Sequence, residues 1–209
     1  MMRKTARLLP ALCLIGNLAG AQTTAPTARQ IVEQIQQHLG VSLAPNTVDT
    51  FKAGNPDTPV TGIAVTMMAT FDVLQRAAAR GDNFVITHEP TFYNHLDKTA
   101  DLEKQGDAVL AEKQSFISQH HLVVWRFHDG WHARRPDGIL LGMTKALGWE
   151  KFENKDQPSE FSIPETNLNA LALDVERKLQ NKVLRVVGKP DLAVKQVAFL
   201  PGAAGSARQ

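Results

Sequence analysis

The stretch that decides the fold runs from residue 83 to residue 97 and reads Asn83-Phe84-Val85-Ile86-Thr87-His88-Glu89-Pro90-Thr91-Phe92-Tyr93-Asn94-His95-Leu96-Asp97. Its apolar run, residues 84–86, predicts a buried strand. His88 and Glu89 follow directly, and Pro90 cannot continue a strand ladder. Because chemistry collects at the carboxyl ends of strands in open α/β sheets, His88 and Glu89 occupy the position expected of a site. Both are ligand types for a borderline divalent metal, although a histidine after a strand is also commonly a hydrogen-bonded structural residue.

The residues before this stretch predict a compact βαβ unit. A strand at 60–67 is followed by a helix that begins at Thr70 and ends at Gly81, and the strand that carries His88 comes next. Parallel pairing of the two strands, with a right-handed crossover, is the expected arrangement.

A second strand of the same kind is predicted at residues 122–127, and it runs into His128, Asp129 and His132. If the two strands are parallel, both sets of polar residues lie at one edge of the sheet. His128 and His132 would share a face on a helical turn, but Gly130 favours a loop.

The remaining pattern alternates helices with strands, which predicts an α/β fold. Thr27 and Gln30 form the pattern of a capping box for an amphipathic helix that ends at Gly40. We expect an extended piece at 47–52, helices at 101–119, 139–147 (capped by Asp137) and 168–179, a polar loop at 150–160, and strands at 183–187 and 194–200.

The other histidines divide into two groups. His38 lies in the last turn of a polar-faced helix, and His120 and His121 precede a strand at its amino end, so we expect these three to be structural or solvated. His95 and Asp97 could orient a metal ligand from outside the coordination sphere, and a purely structural role fits them equally well.

The N-terminus has the pattern of a secretory signal of about 21 residues. Arg3, Lys4 and Arg7 precede an apolar stretch at 8–18, and Ala19-Gly20-Ala21 is a small-x-small cleavage site. The apolar part is too short to span a membrane, so a permanent anchor is not expected. These features predict an exported protein, periplasmic or secreted.

Removal of this segment changes two properties of the chain. The only cysteine, Cys13, would be lost, which excludes disulfides, thiolate ligands and a cysteine nucleophile from residues 22–209. The 20 remaining Lys and Arg residues face 21 Asp and Glu residues, a net charge near −1. Composition therefore gives no reason to expect nucleic acid as a partner.

Several motifs together resemble one known family, the Nif-three-like proteins with a dinuclear metal centre, often described as GTP cyclohydrolase I type 2. The resemblance covers roughly residues 28–209. It rests on Thr61-Gly62-Ile63-Ala64-Val65-Thr66, Gly81, Val85-Ile86-Thr87-His88-Glu89-Pro90, the segment 128–132, and Arg185-Val186-Val187-Gly188 with the later Gly-rich turn Pro201-Gly202-Ala203-Ala204-Gly205-Ser206. It implies a Nif-three-like α/β fold, one domain over residues 22–209, with mixed sheets, flanking helices and a metal cleft at the carboxyl ends of strands. It also implies assembly into dimers or hexamers.

The chain departs from the family pattern at the ligand positions. Where the family has two adjacent histidines this chain has His88 and Glu89, and His132 stands where the family has an aspartate. The family's last two ligands, a His and a Glu near its C-terminus, have no counterpart after His132, so we expect a chain truncated at its C-terminus, or a site that holds one metal rather than two.

These observations lead to a first hypothesis, a divalent-metal-dependent hydrolase that acts on a phosphoester or nucleotide-like small molecule. The expected ligands are His88, Glu89, His128 and His132, with Asp129 as general base. The ion, one or two per chain, would be zinc, iron, manganese or nickel. The alternative is a non-catalytic metal-binding or scaffold protein, and GTP ring opening ranks last because an exported protein would meet little GTP.

Overall fold

The structure, a computed structural model, describes residues 25–202. Its main sheet contains the four strands β1 (Phe51–Ala53), β2 (Ile63–Thr66), β3 (Phe84–Thr87) and β4 (Val123–Arg126). They lie in the order β1-β4-β3-β2, with β2, β3 and β4 parallel and β1 antiparallel to β4. The second sheet is an antiparallel pair, β5 (Glu160–Asn167) and β6 (Ala193–Ala198). The predicted α/β fold with mixed sheets is confirmed.

Helices cover both faces of the main sheet. The helices of the first half are α1 (Ala28–Leu39), α2 (Phe71–Arg80), α3 (Ala100–Lys104) and α4 (Ala108–Gln119). On one face, α1 packs its apolar residues against Phe84, Ile86, Val123 and Trp125. On the other face, α2 and α4 pack Leu74, Ala77 and Ile117 against Val85 and Val124. Because β3 and β4 are buried on both sides, their sequences are nearly continuous apolar runs.

Local sequence signals set the ends of these helices. The capping box of Thr27 and Gln30 is present at the start of α1, and Gly40 ends that helix in the left-handed conformation. Thr70 caps α2 by accepting a hydrogen bond from the backbone N–H of Val73, and Gly81 ends it. The predicted βαβ unit is therefore confirmed.

The register of the central strands fixes where the site begins. Thr66, Thr87 and Arg126 stand side by side as the last residues of β2, β3 and β4. The chain therefore leaves β3 at His88 and leaves β4 at Phe127, on neighbouring strands at one edge of the sheet.

The second half of the chain builds a smaller layer on the antiparallel pair. It contains α6 (Gly138–Leu147), a short 3-10 helix (Glu150–Phe152) and α7 (Leu168–Leu179), and it is preceded by the short helix α5 (Asp129–Ala133), which packs against α1. Leu147, Trp149 and Phe161 form its buried core. Asp137 caps α6 and Gly148 ends it, as predicted.

Four local predictions were wrong. Residues 101–119 form two helices rather than one, because the side chain of Asp107 caps α4 and starts it anew. Residues 183–187 form no strand: Val183 and Val187 are 86% and 87% exposed and have no strand beside them. Strand β5 was not predicted; it begins at Glu160, the last residue of the predicted polar loop. Residues 129–133, expected as a loop, form the short helix α5.

No helix within residues 25–202 is long and apolar enough to cross a membrane. The predicted signal segment, residues 1–21, lies outside the described residues, as do residues 203–206 of the Gly-rich turn.

Candidate metal centre

Two histidines meet where β3 and β4 end. His88 is the first residue after β3, and its backbone N–H donates to Thr66 O over 3.1 Å, which extends the sheet pairing by one residue. His128 lies two residues beyond β4. The two imidazole rings are stacked, with centroids 4.6 Å apart and an interplanar angle of 28°.

Helix α5 brings a third histidine to this pair. The backbone N–H of His132 donates to His128 O over 3.1 Å, so one helical turn places both side chains on the same face. The His132 ring lies edge-on to the rings of His128 and His88, at centroid distances of 4.8 and 5.1 Å. One ligand-type atom from each of the three half-buried histidines lies within 4.8 Å of the others.

The Nδ1 atom of each of the three rings is hydrogen-bonded to an oxygen acceptor. His88 Nδ1 lies 3.1 Å from Phe127 O, and His128 Nδ1 lies 3.0 Å from Asp129 Oδ1. His132 Nδ1 lies 2.7 Å from Asp137 Oδ2. Carbonyl and carboxylate oxygens only accept hydrogen bonds, so Nδ1 of each ring carries a proton, and in the neutral form of each ring Nε2 has the free lone pair. This is the arrangement that orients histidine ligands in metal sites, and these groups could bind a metal ion.

A buried carboxylate holds helix α5 in place. Asp49, which is 4% exposed, accepts hydrogen bonds from the backbone N–H groups of His128 and Asp129 through Oδ1, over 2.7 and 2.8 Å. Its Oδ2 accepts a further bond from Gly130 N over 2.8 Å. The first N–H groups of a helix have no partner within it, so this carboxylate satisfies them and fixes the start of α5.

The sequence matches the model of one protein family over residues 26–209, and that family is described as Duf34/NIF3 (NGG1p interacting factor 3). The chain belongs to the DUF34/NIF3 family. The resemblance to Nif-three-like proteins drawn from the motifs is thereby confirmed. No curated protein matches the sequence significantly.

Solved structures agree with this assignment. The Staphylococcus aureus hypothetical protein SA1388 is 16% identical and superposes with a TM-score of 0.67, covering 88% of this chain and 74% of that chain. A Bacillus cereus protein related to NIF3 is 15% identical with a TM-score of 0.69, covering 87% and 78%. Reduced HcgD from Methanocaldococcus jannaschii is 14% identical with a TM-score of 0.51, covering 73% and 59%. At these identities the likeness establishes the NIF3-like fold.

In this NIF3 chain Glu89 is not one of the residues whose ligand-type atoms group together, and its carboxylate faces a buried arginine. Its carboxylate lies 3.5 Å from the guanidinium of Arg126, whose side chain is fully buried. Arg126 Nε also donates to His88 O over 3.1 Å. Sequence reasoning placed Glu89 among the ligands because it adjoins His88, but successive residues at a strand end point in different directions.

Both oxygens of Asp129 are engaged. Oδ1 faces His128, and Oδ2 accepts hydrogen bonds from the Thr47 hydroxyl over 2.9 Å and from the Val48 N–H over 3.0 Å. Burial alone would raise the pKa of Asp129, but these hydrogen bonds outweigh it and hold the pKa below its usual value. The carboxylate is therefore ionised at neutral pH and suited to orienting His128.

The surroundings of His88 favour its neutral form. Burial lowers the pKa of His88, and the neighbouring His128 and His132 lower it further, while the hydrogen bond to Phe127 O opposes this. The neutral ring is the form that binds metals. The pKa of Asp137 is also lowered, because the hydrogen bonds from His132 and from the start of α6 outweigh the effect of burial.

His95 and Asp97 do not form a pair. The carboxylate of Asp97 accepts backbone hydrogen bonds from the preceding loop, at Thr91, Phe92 and Tyr93. His95 belongs to a second group of ligand-type atoms, with His128 and Asp129.

Sequence reasoning missed three residues that support the NIF3 site. Asp137 was expected only as a helix cap, although its position five residues after His132 was a usable signal. Asp49 lies about 80 residues before the groups that it binds, and no local pattern could connect them. Arg126 was expected only as part of a buried strand. Its charge was the usable signal, because a buried charge needs partners.

Proposed function

We propose that this NIF3 chain binds a divalent metal ion through His88, His128 and His132 and is a metal-dependent hydrolase of phosphoester or nucleotide-like substrates. The observation that carries the proposal is the shared state of the three rings: each Nδ1 is bonded to an acceptor, and the ligand-type atoms lie within 4.8 Å of one another.

The donor set suits a borderline divalent ion. Three imidazole nitrogens without sulfur favour zinc, and iron, manganese and nickel remain compatible. When such an ion is bound, it lowers the pKa of a coordinated water and polarises a phosphoryl or carbonyl oxygen, which is the chemistry of hydrolysis.

The chain's own residues supply rigidity and orientation. Asp137, Asp129 and the carbonyl of Phe127 hold the three imidazoles in one tautomer, and Asp49 fixes the helix that carries His132. We assign Asp129 to orienting His128 rather than to general-base catalysis, because both of its oxygens already accept hydrogen bonds. Glu89 is assigned to neutralising the buried Arg126.

A cavity of about 460 Å³ supports a small-molecule substrate. It lies beside the loop that carries His95, and its lining includes Lys52, Phe92, Asp97 and Gln114. Small-molecule sites in proteins commonly have volumes of about 300–1,000 Å³. The lining combines an ammonium group, an aromatic ring and an amide with the carboxylates of Asp97 and Glu103, which suits a polar ligand with a ring system, and it includes none of the three candidate metal ligands.

We also propose export and self-association. The pattern of residues 1–21 supports export to the periplasm or beyond.

Apolar side chains left exposed on the edge strand β2, such as Ile63 and Val65, support a homo-oligomer, because a free apolar strand edge favours pairing with another chain.

The first test is elemental analysis of the full chain purified without chelator or affinity metal. The comparison variant is His88→Ala/His132→Ala, and His38→Ala serves as a control because His38 is exposed at the end of α1 and bonds to Gln34 O. We expect near-stoichiometric metal in the wild type and in the control, and little in the double variant. Equal metal content in all three proteins would refute the site.

Catalysis is tested on the protein whose metal content has been measured. We expect turnover of nucleotides, cyclic nucleotides or model phosphoesters that chelation abolishes and added metal restores. Tight metal binding without turnover across this panel would refute the hydrolase and favour the alternative, a non-catalytic metal-binding protein.

A further inference from the structure

The side chain of His95 is held by a buried arginine. Arg126 donates from Nη1 to His95 O, and Nη2 of the same guanidinium lies 3.4 Å from His95 Nδ1. Its remaining bonds, to His88 O and Glu89, tie the arginine to the end of β3. Because Arg126 is fully buried and bonded on several sides, the position of His95 is set by the core of the protein.

This contact fixes the tautomer of His95. A guanidinium is always protonated and can only donate hydrogen bonds, so His95 Nδ1 must be the acceptor and carries no proton. The neutral ring therefore has its proton on Nε2. His88, His128 and His132 have the opposite tautomer, since their Nδ1 atoms face oxygen acceptors.

His95 also lies at the edge of the three-histidine group. Its ring is edge-on to that of His128, with centroids 5.2 Å apart. One ligand-type atom from each of His95, His128 and Asp129 lies within 4.8 Å of the others. Unlike the other three site histidines, His95 is exposed, so a molecule in solvent can reach it.

We propose that His95 is an N–H donor to an anionic oxygen of the substrate and is not a metal ligand. The inference deepens the proposed function and rests on it. A ring that carries a proton on Nε2 offers a donor where the ligand histidines offer lone pairs. A fixed donor beside a site of hydrolysis stabilises negative charge on a phosphoryl oxygen without having to reorganise.

The tautomers are tested directly by NMR of protein with ¹⁵N-labelled histidine, before and after addition of zinc. We expect the proton of His95 on Nε2 in the metal-free protein, with its signals identified by their loss in His95→Gln. Zinc should shift the Nε2 signals of His88, His128 and His132 and leave Nε2 of His95 protonated. A proton on Nδ1 of His95, or a zinc-bound Nε2, would overturn the proposal.

The donor role is tested with inorganic phosphate as the probe, by titration of the zinc-loaded protein. Removing a hydrogen bond to a charged group lowers affinity roughly 10- to 100-fold. We expect this loss in His95→Ala, and recovery in His95→Gln, whose amide N–H can replace the Nε2 donor. His38→Ala is the control and should bind phosphate as the wild type does.

The outcomes separate the two proposals. Equal phosphate affinity in wild type and His95→Ala would overturn the donor role, with zinc content confirming that the metal site is intact. If the protein hydrolyses none of the substrates tested, the NMR and phosphate measurements still decide the role of His95. If zinc does not bind, the proposed function fails, and the tautomer in the metal-free protein still tests the contact with Arg126.

Discussion

Asp137 Oδ2 lies 2.7 Å from His132 Nδ1, while Oδ1 of the same carboxylate accepts hydrogen bonds from the backbone N–H groups of Ile139 and Leu140. One side chain therefore both orients a candidate ligand and caps helix α6. The two roles need two acceptor oxygens, and a carboxylate has both.

Asp137→Asn is expected to lower zinc affinity about 10- to 100-fold, the usual cost of removing a group that orients a metal ligand. The amide has only one acceptor oxygen, and two backbone N–H groups already require it. Its NH₂ group must then face His132 and donate to Nδ1, which moves the ring proton to Nε2 and blocks the ligand atom.

Competition titration with a zinc chelator measures this effect. Asp107→Asn is the matched control, because Asp107 caps α4 through Leu110 N and lies outside the three-histidine group. Its zinc affinity should equal that of the wild type. Equal affinity in Asp137→Asn as well would mean that Asp137 is a helix cap only.

Asp49→Ala should lower the free energy of unfolding by roughly 3 kcal/mol or more. The substitution leaves three backbone N–H groups, at His128, Asp129 and Gly130, without their acceptor, and an unsatisfied buried group costs about 1–3 kcal/mol. Urea denaturation of the metal-free protein measures the change. Asp57→Ala, which removes an exposed carboxylate paired with Arg29, should have a much smaller effect; equal losses would contradict the capping role of Asp49.

Gly130→Ala is expected to destabilise the protein by about 1–3 kcal/mol, the typical cost of overpacking. An added Cβ would lie 2.6 Å from a methyl carbon of Leu39 and 3.0 Å from Asp49 Oδ2. Gly142→Ala is the matched control, because its Cβ would meet nothing within 4 Å and the residue lies inside helix α6. There alanine should stabilise by about 0.5–1 kcal/mol. Thermal unfolding in which both variants moved the same way would contradict the close packing of α5 against α1.

Particular residues explain which parts of the fold the sequence could predict. Residues 84–86 were found as a strand because burial on both faces leaves a continuous apolar run. Residues 183–187 have the same β-branched character and form no strand, because β propensity needs a partner strand. Strand β5 was not predicted, although Phe161 and Ile163 alternate with polar residues. It contains Pro164, which is unusual inside a strand, and the register shift between Ser162 and Thr166 accommodates the proline.

The residues of the site also fall into those that the sequence could predict and those that it could not. His88, His128 and His132 could be found because each follows a predicted strand within a few residues. Asp49 and the contact between Arg126 and His95 depend on chain segments that come together only in the folded protein. Local spacing gives the candidate ligands, and the fold gives the groups that orient them.

The stability of the metal-free protein is expected to fall as the pH drops below about 6.5. Burial lowers the pKa of His88 below its ordinary value of 6.5, so the unfolded chain takes up a proton at a pH where the folded protein does not. Above 6.5 both states are neutral at this residue and the effect is absent; it grows as the pH falls from 6.5 to the folded-state pKa. Asp129 and Asp137, whose pKa values are lowered from 3.8, lose their contribution only in more acidic solution.

Denaturation with urea at about pH 7.5 and about pH 5.5, on either side of the ordinary histidine pKa, measures this dependence. His88→Asn is the informative variant, because the asparagine amide can still donate to Phe127 O but does not titrate. It should lose less stability than the wild type between the two pH values, while His38→Ala should behave as the wild type does. An identical loss in wild type and His88→Asn would mean that His88 is protonated equally easily in the folded and unfolded chains, which contradicts the lowering of its pKa by burial.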